Sequence, residues 1–440
     1  MGLTEVGLTG MSLTGRTAVL GLAGLLPLVL FPGLAAFLGW AALVLLGIAA
    51  DVILAGSPRA LRVEREPVSA VRLGEPAQAW FVLSNPGRRR VHGLVRDGWQ
   101  PSAGATSSRQ LIDLPSGQRR RLVTDLLPTR RGDRRAQHVT VRSYGPLGLA
   151  ARQLSLPAPG SIRVLPGFGS RKHLPGKLAR LRELDGRTAL RIRGQGTEFD
   201  SLRDYVDGDD VRSIDWRASA RRQQTVVRTW RPERDRRVLL VLDTSRTSAA
   251  RVDDEPRLDA AMDAALLLAA LASRAGDRVD LLAMDRRVRA RVEGASRTDL
   301  LARLVTAMAP LEADLVEADW TAIVSTILNR LSQRALVILL TPLEAAAVEE
   351  GLLPVIQQLS TRHRVLLASV ADPQVARMAA GRGDAQAVYG AAAAERAGLD
   401  RAATTAELLR MGVDVIDAPP ADLPPRLADR YLRLKAAGLL

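Results

Sequence analysis

Two stretches of this chain set oxygen-bearing side chains where they could do chemistry. In Asp243-Thr244-Ser245-Arg246-Thr247 a carboxylate and hydroxyls at alternate positions follow the apolar run 238–242. Hard oxygen donors at that spacing suit Mg²⁺ or Mn²⁺. The same residue types also favour an Asx-turn or a helix N-cap. In the second stretch, 196–221, Asp207, Asp209, Asp210 and Asp215 are interleaved with Arg203, Arg212, Arg217 and Arg221. Two of those carboxylates could divide general acid and base work. The alternating signs favour an ion-pair network instead, with Tyr205 and Trp216 as apolar anchors.

Several other chemistries lack their residues. There is no Gly-x-x-x-x-Gly-Lys-Ser/Thr loop for nucleotide phosphates, no Gly-x-Ser-x-Gly elbow and no His-Glu-x-x-His pair. His92, His138, His173 and His363 are scattered. With no cysteine, disulfides, thiol nucleophiles and thiolate metal sites are excluded.

The elements that must position the Asp243 loop alternate in type from 237 to 440. Strand-like runs at 238–243, 278–284, 336–341, 365–370 and 413–416 are separated by amphipathic helical segments, and 423–436 closes the chain. Apolar strands between such helices predict a mostly parallel, doubly wound sheet covered on both faces, with 288–292 as an antiparallel edge. Sheets of this kind bind at the carboxyl ends of their strands, which points to Asp243 and Thr341.

With 440 residues the chain has room for two or three domains. From Thr17 to Ala50 no residue is charged, and 52–56 remains apolar beyond Asp51. That run exceeds one span of about 20 residues, and Phe31-Pro32-Gly33 reads as a turn inside it. The expectation is a transmembrane helical hairpin over 17–56, preceded by a cytoplasmic tail, 1–16. A single tilted span and a cleaved signal peptide are the alternatives. Arg59, Arg62, Arg65 and Arg72 follow the run, which places the body of the chain on the cytoplasmic side. Residues 60–165 alternate in β fashion between turn clusters, predicting a small β-sandwich-like domain. Residues 166–236 form a connector that contains a helix near 176–184. The net charge of +15 suggests an anionic neighbour. Arg clusters at 88–90, 119–121, 130–131 and 134–135 could meet lipid headgroups. Without interleaved aromatics they do not read as a nucleic-acid surface.

The run Gly196-x-Glu198-Phe199-x-x-Leu202-Arg203-x-Tyr205-x-x-Gly208-Asp209-x-x-Arg212-x-Ile214-Asp215-Trp216-x-x-Ser219-Ala220-Arg221 resembles the signature of the family called domain of unknown function 58. Tyr144-Gly145-Pro146-Leu147-Gly148-Leu149 is similar to another of its stretches, and Val238–Thr247 resembles the start of a von Willebrand factor A domain. The resemblance implies a multi-domain protein: transmembrane hairpin, β-rich segment, signature, then a C-terminal von Willebrand factor A-like domain over 237–440. It implies a metal-ion-dependent adhesion site with Asp243, Ser245, Thr247 and Thr321 as ligands. The expected final Asp is Pro342 here, so the site is degenerate, with Glu344 or water as substitutes. Glu198, Arg203, Tyr205, Asp209, Arg212, Asp215, Trp216 and Arg221 are expected to form a partner or interdomain surface. The implied role is a non-enzymatic, membrane-anchored, protein-binding protein that uses no nucleotide. Its implied partner is a MoxR-type AAA+ ATPase in assembly or envelope maintenance. The rival readings are a Mg²⁺-dependent hydrolase and an anionic-lipid-binding module.

Overall fold

A computed structural model describes residues 9–191, 198–207, 209–231 and 236–440. The chain forms two compact units, Met1–Leu165 and Pro166–Leu440.

In the first unit the apolar run forms the helices Gly15–Ala23, Leu25–Leu30 and Leu34–Leu54, broken around Phe31 to Gly33. One helix, within Leu34–Ala60, is long and apolar enough to cross a membrane, and its apolar window is only 6% buried. Trp40 Nε1 donates to the carbonyl of Leu20 at 3.1 Å, tying the long helix to the first.

The β-rich residues make two sheets. One runs in the order Thr9–Leu13, Ala150–Leu165, Gly132–Tyr144, Val91–Trp99, Arg109–Leu114, with Val71–Arg72 beside Ala150–Leu165. The other holds Arg62–Arg65, Ala77–Ser84 and Arg119–Leu126. Alternate residues point inward, so Phe81, Leu83 and Leu122 meet Val95, Ile112, Val139 and Val141 in one core. Across that core the buried Arg65 reaches Asp97 at 2.5 Å, and Asp97 also accepts from Trp99 Nε1 and Thr124 Oγ1, each at 2.7 Å. Arg65 therefore sits inside the sandwich.

The turn and strand patterning of the sequence did not mark four strands of this unit: Thr9–Leu13, Val71–Arg72, Arg109–Leu114 and Ala150–Leu165. In the last, Pro157 and Pro159 resemble loop residues. The structure accommodates them because Thr9–Leu13 covers only Ala150–Leu154 and Val71–Arg72 only Val164–Leu165. At the prolines that side of the strand has no ladder partner, the edge setting in which proline is tolerated. Thr9–Leu13 is thus a paired strand, where the sequence suggested a tail.

The turn Gly145–Leu149 joins the two longest strands and is fastened to the end of the long apolar helix. The buried Asp51 carboxylate accepts the N–H groups of Leu147 at 2.7 Å, Leu149 at 2.5 Å and Ala150 at 3.0 Å. A Cβ on Gly145 would lie 2.4 Å from the Asp51 carboxyl carbon, so only glycine fits there. Thr14 donates its N–H to Leu149 O at 3.0 Å and its hydroxyl to Gly148 O at 2.6 Å, holding the other side of the turn.

The second unit opens with the helix Leu174–Arg191, longer than the sequence reading gave, then an antiparallel pair, Glu198–Asp204 with Val226–Arg231. Its main sheet contains β1 (Arg237–Asp243), β2 (Arg278–Met284), β3 (Val288–Val292), β4 (Leu336–Leu340), β5 (Arg364–Val370) and β6 (Val413–Ala418). Their order is β3-β2-β1-β4-β5-β6, parallel except for β3, which pairs antiparallel at the edge. Leu239 and Val241 of β1 pack with Ile323, Val324, Ile327 and Ile356 on one face. The helices Arg257–Arg274 and Leu423–Ala436 pack against the sheet and each other. Burial on both faces explains why the central strands β1 and β4 carry continuous apolar runs.

Candidate functional site

The chain leaves β1 toward β2 on one side and returns to β4 on the other, so the crevice between the carboxyl ends of β1 and β4 is the topological switch point of the sheet. Asp243 closes β1 and Thr341 follows β4. Thr341 Oγ1 donates to Asp243 Oδ2 across the crevice at 2.7 Å. The same carboxyl accepts from the Ser245 N–H at 2.8 Å and the Thr247 hydroxyl at 3.2 Å, and Ser245 Oγ lies 3.1 Å from Thr247 Oγ1. The loop is held by its neighbours: Thr244 Oγ1 donates to Asp285 at 2.9 Å, and the Arg246 N–H to Val316 O at 2.9 Å. Burial pushes the Asp243 carboxyl above its ordinary range, and the hydrogen bonds it accepts only partly offset this.

Asp243, Ser245 and Thr247 therefore meet as the sequence suggested. Among the described residues no hydrogen bond joins Thr321 to them. Thr321 is exposed in the first turn of the helix Trp320–Arg330, and the hydroxyl that joins that of Thr247 on Asp243 belongs to Thr341. Glu344 does not turn toward Asp243; it pairs with Arg257 at 2.5 Å. Arg246 pairs with Glu317. No group of three His, Asp or Glu residues is arranged for a metal among the described residues. The donor set is one buried carboxyl whose oxygens already receive three hydrogen bonds, plus hydroxyls directed at it and at one another. Hard divalent cations take several anionic or carbonyl oxygens. These residues do not fit one.

The signature forms a small appendage of its own. Its strands pair from Glu198↔Arg231 to Asp204↔Val226, which buries Val226 and Val227. Arg203 pairs with Asp209 at 2.5 Å, and this bond holds the Asp209 carboxyl below the usual carboxylate range. Asp215 caps the helix Trp216–Arg222 through the N–H groups of Ala218 and Arg217 and pairs with Arg228 at 2.9 Å. The Ala218 N–H, followed by Arg228, lowers its pKa. The anticipated network is only partly formed. Arg212, Arg217, Arg221 and Arg222 are exposed and make no ion pair among the described residues. Tyr205 is half-buried, but Trp216 is 68% exposed, and Val206 and Val211 earlier in the signature are exposed as well. Trp216 is not the packed anchor that the sequence suggested. It opens a seven-residue helix none of whose residues is buried, so the helix offers no core for the ring.

The family model described as protein of unknown function DUF58 matches residues 201–405. The match covers most of the signature and the sheet as far as β5. No curated protein matches the chain. Among solved structures, the SpRpn10 VWA domain is similar at 12% identity, covering 44% of this chain and 94% of that one, with a TM-score of 0.26. A CARDB domain from Pyrococcus furiosus, in complex with di-metal ions, is similar at 17% identity over 26% and 90%, with a TM-score of 0.18. A PapD-like domain of human CEP192 is similar at 17% identity over 25% and 89%, also with a TM-score of 0.18.

The sequence pointed to Asp243 and Thr341 as two strand ends but did not pair them, and it is the structure that joins them by a hydrogen bond. The sequence reading also missed the exposure of Trp216, for which the interleaved charges carried no signal.

Proposed function

We propose that the chain is a membrane-anchored protein-interaction module whose second unit recruits a protein partner on the cytoplasmic side. The observation that carries this reading is the exposed Trp216 surrounded by arginines without acidic partners, presented on a hydrogen-bonded appendage. Exposed Trp and Arg are the residue types that dominate protein interfaces. Four cations without counter-ions favour an acidic partner surface. The AAA+ ATPase of MoxR type implied by the family resemblance is the partner to test first. Asp209 and Asp215 are each engaged by an arginine and by backbone N–H groups, an arrangement that supports a structural role for these two carboxylates over acid–base work.

Two observations support the anchor. The long helix Leu34–Leu54 spans about 31 Å at 1.5 Å per residue, enough for a hydrocarbon core of about 30 Å. Thr9–Leu13 pairs with Ala150–Leu154, so the residues before the first apolar helix lie on the same side as the β-rich residues. If the long helix crosses, the segment Gly15–Leu30 crosses back, and the two form a hairpin. The arginines after the run then set the cytoplasmic orientation.

The test is a crosslinking pulldown of the full-length chain from membranes, with and without Mg²⁺, comparing wild type, Trp216→Ala and Asp243→Ala. One partner that is captured by wild type, lost with Trp216→Ala and indifferent to Mg²⁺ is the expected result. Equal capture by wild type and Trp216→Ala would refute the assignment of the surface.

A further inference from the structure

Immediately past the end of the long apolar helix, the first unit contains a pocket of about 220 Å³ lined by Ala55, Ser57, Asn85, Arg88, Arg89 and Arg152, with Ala60 and Gly87 completing the wall. No carboxylate lines it. Arg88 and Arg152 have no acceptor among the described residues, and Arg89 donates to the carbonyl of Ile53 in the last turn of the helix. The wall is rigid. The buried Asn85 donates to Arg89 O and to Leu114 O, each at 2.9 Å, and accepts the Gly87 N–H at 3.1 Å. Ser116 Oγ donates to Gly87 O at 2.7 Å. The turn carrying Arg88 and Arg89 is thereby fixed from both sides.

A small pocket lined by three arginines, two of them without an acceptor among the described residues, with Ser57 beside them and no acid, suits a phosphate group, which arginine recognises through paired N–H donors. The sequence position sets the depth. Leu54 ends the apolar helix and Ala55 and Ser57 already line the pocket, so a helix that crosses a bilayer places this pocket at the headgroups. We propose that the pocket binds the phosphate of one anionic phospholipid. The lipid assignment rests on the membrane reading above; the phosphate chemistry does not.

The test uses the full-length chain in neutral detergent micelles, titrated with phosphatidylglycerol or phosphatidylcholine and read by native mass spectrometry as lipid retained per chain. Wild type should hold one phosphatidylglycerol in clear preference to phosphatidylcholine. At about fivefold per arginine, Arg88→Gln with Arg152→Gln should weaken retention about 25-fold. Arg96→Gln with Arg109→Gln, an exposed pair at the far end of the same sheet, removes equal charge and should leave retention unchanged. Equal retention of the two lipids by wild type, or equal losses in the two double variants, overturns the proposal. Inorganic phosphate that binds wild type as tightly as the lipid and excludes it would overturn the lipid source and leave a site for a soluble anion. Carbonate extraction of membranes is the separate control. A chain released by carbonate refutes the bilayer reading, while the micelle titration still reports whether the arginines hold phosphate.

Discussion

Replacing Asp51 by Ala should release the turn Gly145–Leu149 from the apolar helix. Three N–H groups, those of Leu147, Leu149 and Ala150, end on this one carboxylate, at 2.7, 2.5 and 3.0 Å. A buried N–H left without an acceptor costs about 1–3 kcal/mol. If the turn relaxes enough for one of the three to reach water, two remain orphaned, and the local cost is about 4 kcal/mol. That is a large share of the roughly 5–15 kcal/mol that stabilises a typical domain. The readout is amide hydrogen exchange of the full-length chain in micelles, followed in peptides covering 144–151. At about 1.4 kcal/mol per factor of ten, protection there should fall by two to three orders of magnitude. The strand Val91–Trp99 should retain its protection. Asp51→Asn is a graded control, because its amide turns an N–H₂ toward N–H groups where an oxygen is needed. If Asp51→Ala leaves peptides 144–151 as protected as in wild type, the carboxylate is not what fastens the turn, and the reasoning fails.

Three further outcomes follow from the same kind of accounting. Asp97→Asn leaves the buried Arg65 guanidinium without its counter-charge and should destabilise the first unit by about 3–5 kcal/mol, seen as a lower calorimetric midpoint; a shift worth under about 1 kcal/mol would contradict it. Asp243 has its pKa raised in the folded state, so its contribution is full below the unfolded value of about 3.9 and is lost as pH rises through the folded one. Asp243→Asn should therefore flatten the fall in denaturant midpoint toward neutral pH, and Mg²⁺ should leave both midpoints unmoved; a steeper dependence in the variant would reverse the sign. Trp216→Ala, at an exposed position, should change stability by no more than about 0.5 kcal/mol. It should nonetheless weaken partner capture at least about 30-fold, the effect of losing an interface hot spot.

The parallel sheet was legible because buried strands must be apolar throughout, and Asp243 was legible because it ends the first of them. Its contact with Thr341 was less so: spacing marks both strand ends, while the bond depends on the order β1-β4 in space. Asp51 reads along the chain as an interruption of an apolar run, since its three partners lie nearly one hundred residues later. Arg65 counts in sequence as one of several basic residues after that run, yet it is buried on Asp97 while Arg62 is exposed. In a strand with alternating faces, the side that carries a charge inward is set by register. Pro157 and Pro159 hid a strand because the sequence does not show how little of its edge is covered. Trp216 illustrates the opposite error, an aromatic taken for packing where the fold leaves it outside.

The strand Thr9–Leu13 also bears on how the chain is made and trimmed. It leaves the ribosome before its partner, Ala150–Leu154, which follows only after the apolar helices and most of the sandwich. Until then its backbone groups wait for a ladder that does not yet exist. Cutting away the greasy N-terminal region to obtain a soluble fragment would remove the same strand and bare the N–H and C=O groups of Ala150 to Leu154. An uncovered strand edge is a template for pairing with other chains. A fragment beginning near residue 60 is thus liable to aggregate, and supplying residues 9–13 as a separate or fused peptide would restore the missing edge.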